Sequence, residues 1–325
     1  MTTRVWSEFF NPADFLRKDV MGILSRYDVS PCIAFQPYCM NDEFARVFAE
    51  YEQAGIPVTV WALLPEESGY WACEQNAHEF SAFVESIFDW ADEKGFGIPW
   101  LAIDMESPMQ QMDLVKNIDR PGYKKKLLKT VLANRNKSRF YDSATIYSRL
   151  VESVHQRGSK TIAAVLAVVM EDIRSGRTGI QDAVETPVST INFDVLSFMI
   201  YNTTLEDFSG GIMSIKDGNY YLYSAMKDMR GTLGNRAGVS IGVTGAGLVS
   251  RAPADKTPAT LTQDMRAAKA AGVEDISIYN LEGIMSSDRP EAWFESLLNC
   301  ETAVPDYSLK SNIMRKTLQA AAFIL

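Results

Sequence analysis

The stretch Ile98-Pro99-Trp100-Leu101-Ala102-Ile103-Asp104-Met105-Glu106-Ser107-Pro108 starts as an apolar run and ends in two carboxylates and a proline. Such a run suits a strand buried on both faces, and Pro108 closes it because proline brings no donor to a ladder. Side chains alternate along a strand, so Asp104 and Glu106 point to one side, with Cα atoms roughly 6.6 Å apart. Met105 points to the other side. Two acids at the tip of a buried strand predict a site, and the neighbouring segments decide what kind.

Working outward, residues 56–64 read as the preceding strand and residues 77–94 as a helix ended by Gly95. Residues 160–169 make the following strand, almost continuously apolar and ending at Glu171 and Asp172. Toward the N-terminus the pattern gives strands at 5–10 and 31–37 and helices at 13–27 and 42–53, the latter with Phe44, Val47, Phe48 and Tyr51 on one face. Toward the C-terminus it gives strands at 193–201, 237–243 and 275–281, with helices at 220–229, 260–271 and 289–298. The long polar connection 107–142 carries the lysines 124–126 and precedes a helix at 144–157; its length and its place after the acidic strand predict a lid or subsite wall.

Strands alternating with helices eight times predict a (β/α)8 TIM barrel, and a length above ~250 residues leaves room for long loops. The expected organisation is one barrel domain over residues 1–300, with a tail, 301–325, packing on it as a helix. A doubly wound open sheet is the alternative. Such a sheet usually has a glycine-rich phosphate turn after its first strand, where this chain has Phe9, Phe10, Asn11 and Pro12. The glycines at 242, 245 and 247 follow the seventh strand and read as a loop of small residues.

The 325 residues are 46% hydrophobic and 22% charged, which suits a globular protein with a large core. A net charge of -9 argues against a nucleic-acid partner, which would call for a basic footprint. Cys32, Cys39, Cys73 and Cys300 form no C-x-x-C pair and only two histidines exist. Neither a zinc site nor a disulfide scaffold is expected, and a reduced, cytoplasmic setting follows. The first residues hold no apolar signal core, and no run reaches the ~18 apolar residues of a membrane span.

In a barrel the C-terminal strand ends share one mouth. There the expected strand ends bring Glu8, Gln36, Trp61, Asp104, Glu106, Glu171, Tyr201, Asn202 and Glu282, with no lysine for a Schiff base. His78 and His155 fall inside helices, so a serine–histidine pair or a histidine-bound metal is not expected. Carboxylates beside aromatic rings are what cleavage of a glycosidic bond needs: a proton for the leaving oxygen, negative charge near an oxocarbenium-like centre, and apolar faces for a sugar. Trp61, Tyr70 and Trp71 are expected to form a stacking platform for such a carbohydrate substrate. Glu8, Gln36, Glu171, Asn202 and Glu282 are expected to bind it, without a cofactor.

Asp104-Met105-Glu106 ending the fourth strand and Met199-Ile200-Tyr201-Asn202 ending the sixth resemble the D-x-E and M-x-Y-D/N signatures of the family 18 chitinase-like glycoside hydrolases. The resemblance implies Glu106 as general acid, Asp104 as the carboxylate that orients a 2-acetamido group, Tyr201 as its hydrogen-bonding partner and Asn202 as an orienting residue. It implies an N-acetylhexosamine-containing glycan as substrate. The chain departs from that pattern at Pro99 and Ala102, where the family has aspartates, at Trp61-Ala62, where it has two glycines, and on the eighth strand, where Tyr279 stands nearest to the family's tryptophan. A D-x-E at this place also occurs in the lysozyme-like family 25. Two further readings stay open. Glu8, Asp104, Glu106, Glu171 and Glu282 could gather Mg²⁺ or Mn²⁺ for an isomerase or lyase, or the barrel could bind a glycan without cleaving it.

Overall fold

A computed structural model of the chain describes residues 1–109, 111, 114, 117, 120–202, 205, 209, 211–244 and 257–325. Among them eight parallel strands close into a barrel in sequence order: β1 Thr2–Ser7, β2 Val29–Phe35, β3 Thr59–Ala62, β4 Trp100–Met105, β5 Lys160–Leu166, β6 Val195–Met199, β7 Ala237–Gly242 and β8 Asp275–Tyr279. Closure is made by β8 against β1, where Tyr279 faces Trp6. The protein is a (β/α)8 TIM barrel, and the open-sheet alternative falls.

Strand alternation divides the interior in two. Val5, Ile33, Val60, Ile103, Val165, Phe198, Ile241 and Ile278 face outward into the main core shared with the helices. Trp6, Cys32, Trp61, Ala102, Ile162, Ala164 and Val195 fill the barrel itself. The two large indoles, Trp6 and Trp61, meet edge to face with centroids 5.0 Å apart. Small residues around them keep the volume within what eight strands enclose.

The N-terminal end of the barrel is plugged. Arg4 is buried, hydrogen-bonded through Nε and Nη2 to the Asp275 carboxylate and through Nη1 to Thr59 Oγ1 at 2.9 Å. Its guanidinium lies 4.1 Å from the Trp100 ring centroid. A charge this deep persists only when its donors find partners, and these supply them. The opposite end is the mouth.

Several sequence-based bounds shift. The strand placed at 160–169 stops at Leu166, because residues 167–169 form a 3-10 turn that leads into the helix Met170–Ser175; an apolar run by itself does not distinguish a strand from a packed turn. The connection 107–142 is partly helical, with Tyr123–Ala133 and the start of Lys137–Gln156 inside it. Asn136 caps the latter helix through the Arg139 amide. The helix placed at 220–229 runs Ile215–Leu233, opened by a Ser214–Asp217 capping box. The tail helix Leu309–Ile324 packs against Ile215–Leu233, with Ser308 Oγ donating to Asp217 Oδ1 at 2.6 Å. The glycines 245 and 247 and residues 110, 112, 113, 115, 116, 118 and 119 of the expected lid lie outside the described residues.

Candidate active site

The inward series on β1 is Arg4, Trp6 and then Glu8. On β4 it is Ala102, Asp104 and then Glu106, on β6 Met199 and Tyr201, on β7 Ser240, and on β8 Tyr279. Alternation thus carries three carboxylates and two phenols to one rim. Asp104 stands beside Ala164 in the ladder, so a methyl group is all that β5 places next to the acid.

Glu106 lies one residue past the end of β4, yet its position is fixed. Ala72, from the connection after β3, donates its N–H to Asp104 O at 2.9 Å and accepts from Glu106 N at 3.1 Å, adding one bridge beyond the strand. Trp71 Nε1 donates to Ser107 O at 2.6 Å and holds the next residue. Asp104 and Glu106 are each only 5% exposed. Asp104 Oδ1 has no hydrogen-bond partner among the described residues.

Burial without compensation raises a carboxyl's affinity for its proton. At Asp104 burial, then the charges of Glu106 and Glu8, push the carboxyl well above the usual carboxylate range. Burial and the charge of Glu8 push Glu106 up to about 7. The phenol of Tyr201 is pushed up by burial and by Asp104, Glu106 and Glu8 together, so it stays a neutral donor.

Glu8 is the best-held acid of the three. Tyr70 Oη donates to its Oε1 at 2.6 Å, and Tyr279 Oη donates to its Oε2. Burial and then the charge of Glu8 raise both phenols, which therefore remain donors. Tyr201 Oη and Ser240 Oγ are 3.1 Å apart, Trp6 Nε1 donates to the same Ser240 Oγ at 3.1 Å, and the Tyr201 ring lies 6.0 Å, centroid to centroid, from that of Tyr279.

The other expected site residues separate. Trp61 is in the barrel interior and Trp71 is under the loop, each 4% exposed, so neither presents an open face; Tyr70 contributes its hydroxyl to Glu8. Gln36 follows Cys32 and Ala34 in the inward series of β2, half-buried at the head of the turn Pro37–Cys39. Glu171 is not at a strand tip: it lies in a helix and pairs with Arg174 at 2.8 Å, because β5 ends five residues before it. Asn202 turns outward, its Nδ2 donating to Asn219 and Asp264 between two helices. Glu282 is occupied by the chain itself: its Oε1 accepts from Ser7 Oγ at 2.6 Å, Phe9 N at 2.9 Å and Phe10 N at 3.3 Å.

Ser240 and Trp6 carry no motif, and only the inward register of their strands could have found them. Among the described residues no three His, Cys, Asp or Glu side chains meet in an arrangement able to hold a metal ion, and no helix is long and apolar enough to cross a membrane.

The closed parallel barrel, with a buried acid pair at its C-terminal mouth, is a TIM barrel. The chain's sequence matches no known protein-family profile and no curated protein. In structure it is similar to the PgaB glycoside hydrolase domain of Bordetella bronchiseptica, with a TM-score of 0.53 at 11% identity over 91% of this chain and 99% of that one. A chitinase of Rhizomucor miehei gives 0.51 at 11% identity, over 91% and 99%. A D-psicose 3-epimerase gives 0.45 at 10% identity, over 98% and 99%. At such identities the likeness establishes the shared barrel alone.

Proposed function

We propose that this protein is a glycoside hydrolase in which Glu106 protonates the leaving oxygen, Asp104 assists it, and Tyr201 hydrogen-bonds the sugar. One observation carries the reading: a carboxyl group enclosed at the barrel mouth and pushed up to about 7 still holds a proton near neutral pH. Asp104, one strand position pair away, adds a second proton-retaining group. The D-x-E and M-x-Y-N signatures favour an N-acetylhexosamine-containing glycan. The resemblance also makes Asp104 the group that orients the 2-acetamido substituent. Of the five carboxylates that the metal-dependent alternative would gather, Glu8, Asp104, Glu106, Glu171 and Glu282, the last two are engaged elsewhere, which favours the hydrolase reading. The test is release of new reducing ends from a panel of oligosaccharides in the presence of a chelator. Hydrolysis unaffected by the chelator is expected. Activity that vanishes with the chelator and returns with Mg²⁺ or Mn²⁺ would overturn the reading.

A further inference from the structure

Ser240 carries a hydroxyl that the proposed chemistry leaves unused, and its surroundings leave that hydroxyl's hydrogen one place to go. The residue lies on β7 and is 0% exposed. Its ladder neighbours are Met199 on β6 and Ser277 on β8. A thioether is at most a weak acceptor. Ser277 Oγ is itself buried and without a hydrogen-bond partner among the described residues, so it makes no bond to Ser240. Two groups do reach Ser240 Oγ, Trp6 Nε1 and Tyr201 Oη, each at 3.1 Å.

The direction of these two bonds follows from what each group can give. An indole N–H only donates, so Trp6 donates and Ser240 Oγ accepts. The serine keeps one hydrogen, and among the described residues Tyr201 Oη is the acceptor within reach of it. Were the phenol to donate instead, the Ser240 hydrogen would be buried without a partner, a loss that native interiors seldom carry. Tyr201 is only partly buried, so its own hydrogen loses nothing by facing the mouth. Both ends of this chain of bonds are held. Trp6 is buried and meets Trp61 edge to face, and the Tyr201 ring lies 6.0 Å from that of Tyr279, whose hydroxyl donates to Glu8.

Resting on the glycosidase reading, we infer that Ser240 is a positioning residue for Tyr201: backed by Trp6, it donates to the phenol oxygen and so turns the phenol hydrogen toward the bound sugar. Each member donates to the next, from Trp6 to Ser240, from Ser240 to Tyr201 and from Tyr201 to an oxygen of the substrate. A hydroxyl fixed in direction before the substrate arrives needs no reorganisation when its acceptor gains negative charge. Ser240 itself touches no reacting atom; it acts through Tyr201.

Two measurements on the full chain test this. In a neutron structure of the deuterium-exchanged protein, the deuterium on Ser240 Oγ should point at Tyr201 Oη and the Tyr201 deuterium should point away from Ser240. A Tyr201 deuterium lying on Ser240 Oγ would overturn the inference, whatever the protein cleaves. In kinetics on a nitrophenyl glycoside of N-acetylglucosamine, Tyr201→Phe should lose about 10²–10³-fold in kcat, and Ser240→Ala about tenfold or more with KM moved less than about threefold. In the Tyr201→Phe background Ser240→Ala should cost nothing further, because the hydroxyl it positions is gone. Ser240→Thr, which keeps the donor, should recover most of kcat. Near-wild-type kcat in a folded Ser240→Ala, a loss confined to KM, losses that add in the double variant, or a folded Ser240→Thr as slow as Ser240→Ala would overturn the role of Ser240 while leaving the glycosidase standing. Should Ser240→Ala fail to fold, the deuterium positions decide alone. A wild-type protein that cleaves no glycoside would remove both.

Discussion

A carboxyl group donates a proton at neutral pH only where its anion is disfavoured, and at Glu106 burial and the charge of Glu8 act in the same direction. The sign has a consequence for stability. A folded-state pKa raised above the unfolded value means stability fully present below the ordinary range of glutamate and lost as pH rises through about 7. The thermal midpoint of the wild type should therefore fall between pH 5 and 8 by more than that of Glu106→Gln, which has no proton to lose there. In a ¹³C carboxyl titration Glu106 should have its midpoint near 7 in the wild type and lower in Glu8→Gln. A wild-type midpoint at an ordinary carboxylate value would contradict the account. This much was legible from the chain alone, because D-x-E places two acids on one face of one strand. The anchoring of Glu8 was not: Tyr70 and Tyr279 are 62 and 271 positions away from it, and no local pattern encodes so distant a contact.

The connections, more than the strands, decide where Glu106 stands. Glu185, buried at φ 58, binds three of them together. Its Oε1 accepts from Gln75 Nε2 at 2.9 Å and pairs with Arg139, and its Oε2 accepts from Gln111 Nε2 at 2.6 Å and Asn134 Nδ2 at 3.2 Å. Its carbonyl accepts from the Glu74 amide at 2.9 Å, and Ser107 Oγ donates to the neighbouring Val184 O at 3.0 Å. The loop that carries Ala72, and the segment just past Glu106, thus share one anchor. Glu185→Ala leaves three amide side chains, buried Gln111 among them, and part of Arg139 without their acceptor. It should cost about 2–4 kcal/mol, with the Arg139 contribution at the low end because that side chain is partly exposed. Denaturant unfolding gives the cost, and hydrogen exchange should localise the loosening to residues 72–76, 107–109 and 111. A loss below about 0.5 kcal/mol would show that the anchor is dispensable. The chain reads Glu185 only as one more acid before a proline-containing loop, since its role depends on a left-handed backbone and on partners from three other segments.

At the scale of the whole molecule, the barrel was legible because a strand buried on both faces writes two patterns at once. Outward positions are branched and aromatic, as in Ile103, Val165 and Phe198, and inward positions alternate large and small, as in Trp61, Ala102 and Ala164. What misled was the strand tip. Glu171, Asn202 and Glu282 follow apolar runs just as Glu106 does, but one lies in a helix, one turns between helices and one clamps the first loop. Sequence order marks where a strand ends only to within a few residues, and at a rim a shift of one residue reverses a side chain's direction. The plug of Arg4, Thr59, Trp100 and Asp275 was missed for a related reason, because each of its members reads as an ordinary strand residue by itself.

The central claim, that Glu106 is the proton donor, is tested most directly by how the effect of Glu106→Gln depends on the leaving group. The variant should fold, and it should hydrolyse an unactivated oligosaccharide about 10²–10⁴-fold more slowly than the wild type while losing far less on an aryl glycoside whose leaving group needs no proton. Equal losses on both substrates, or full activity on the oligosaccharide, would contradict it.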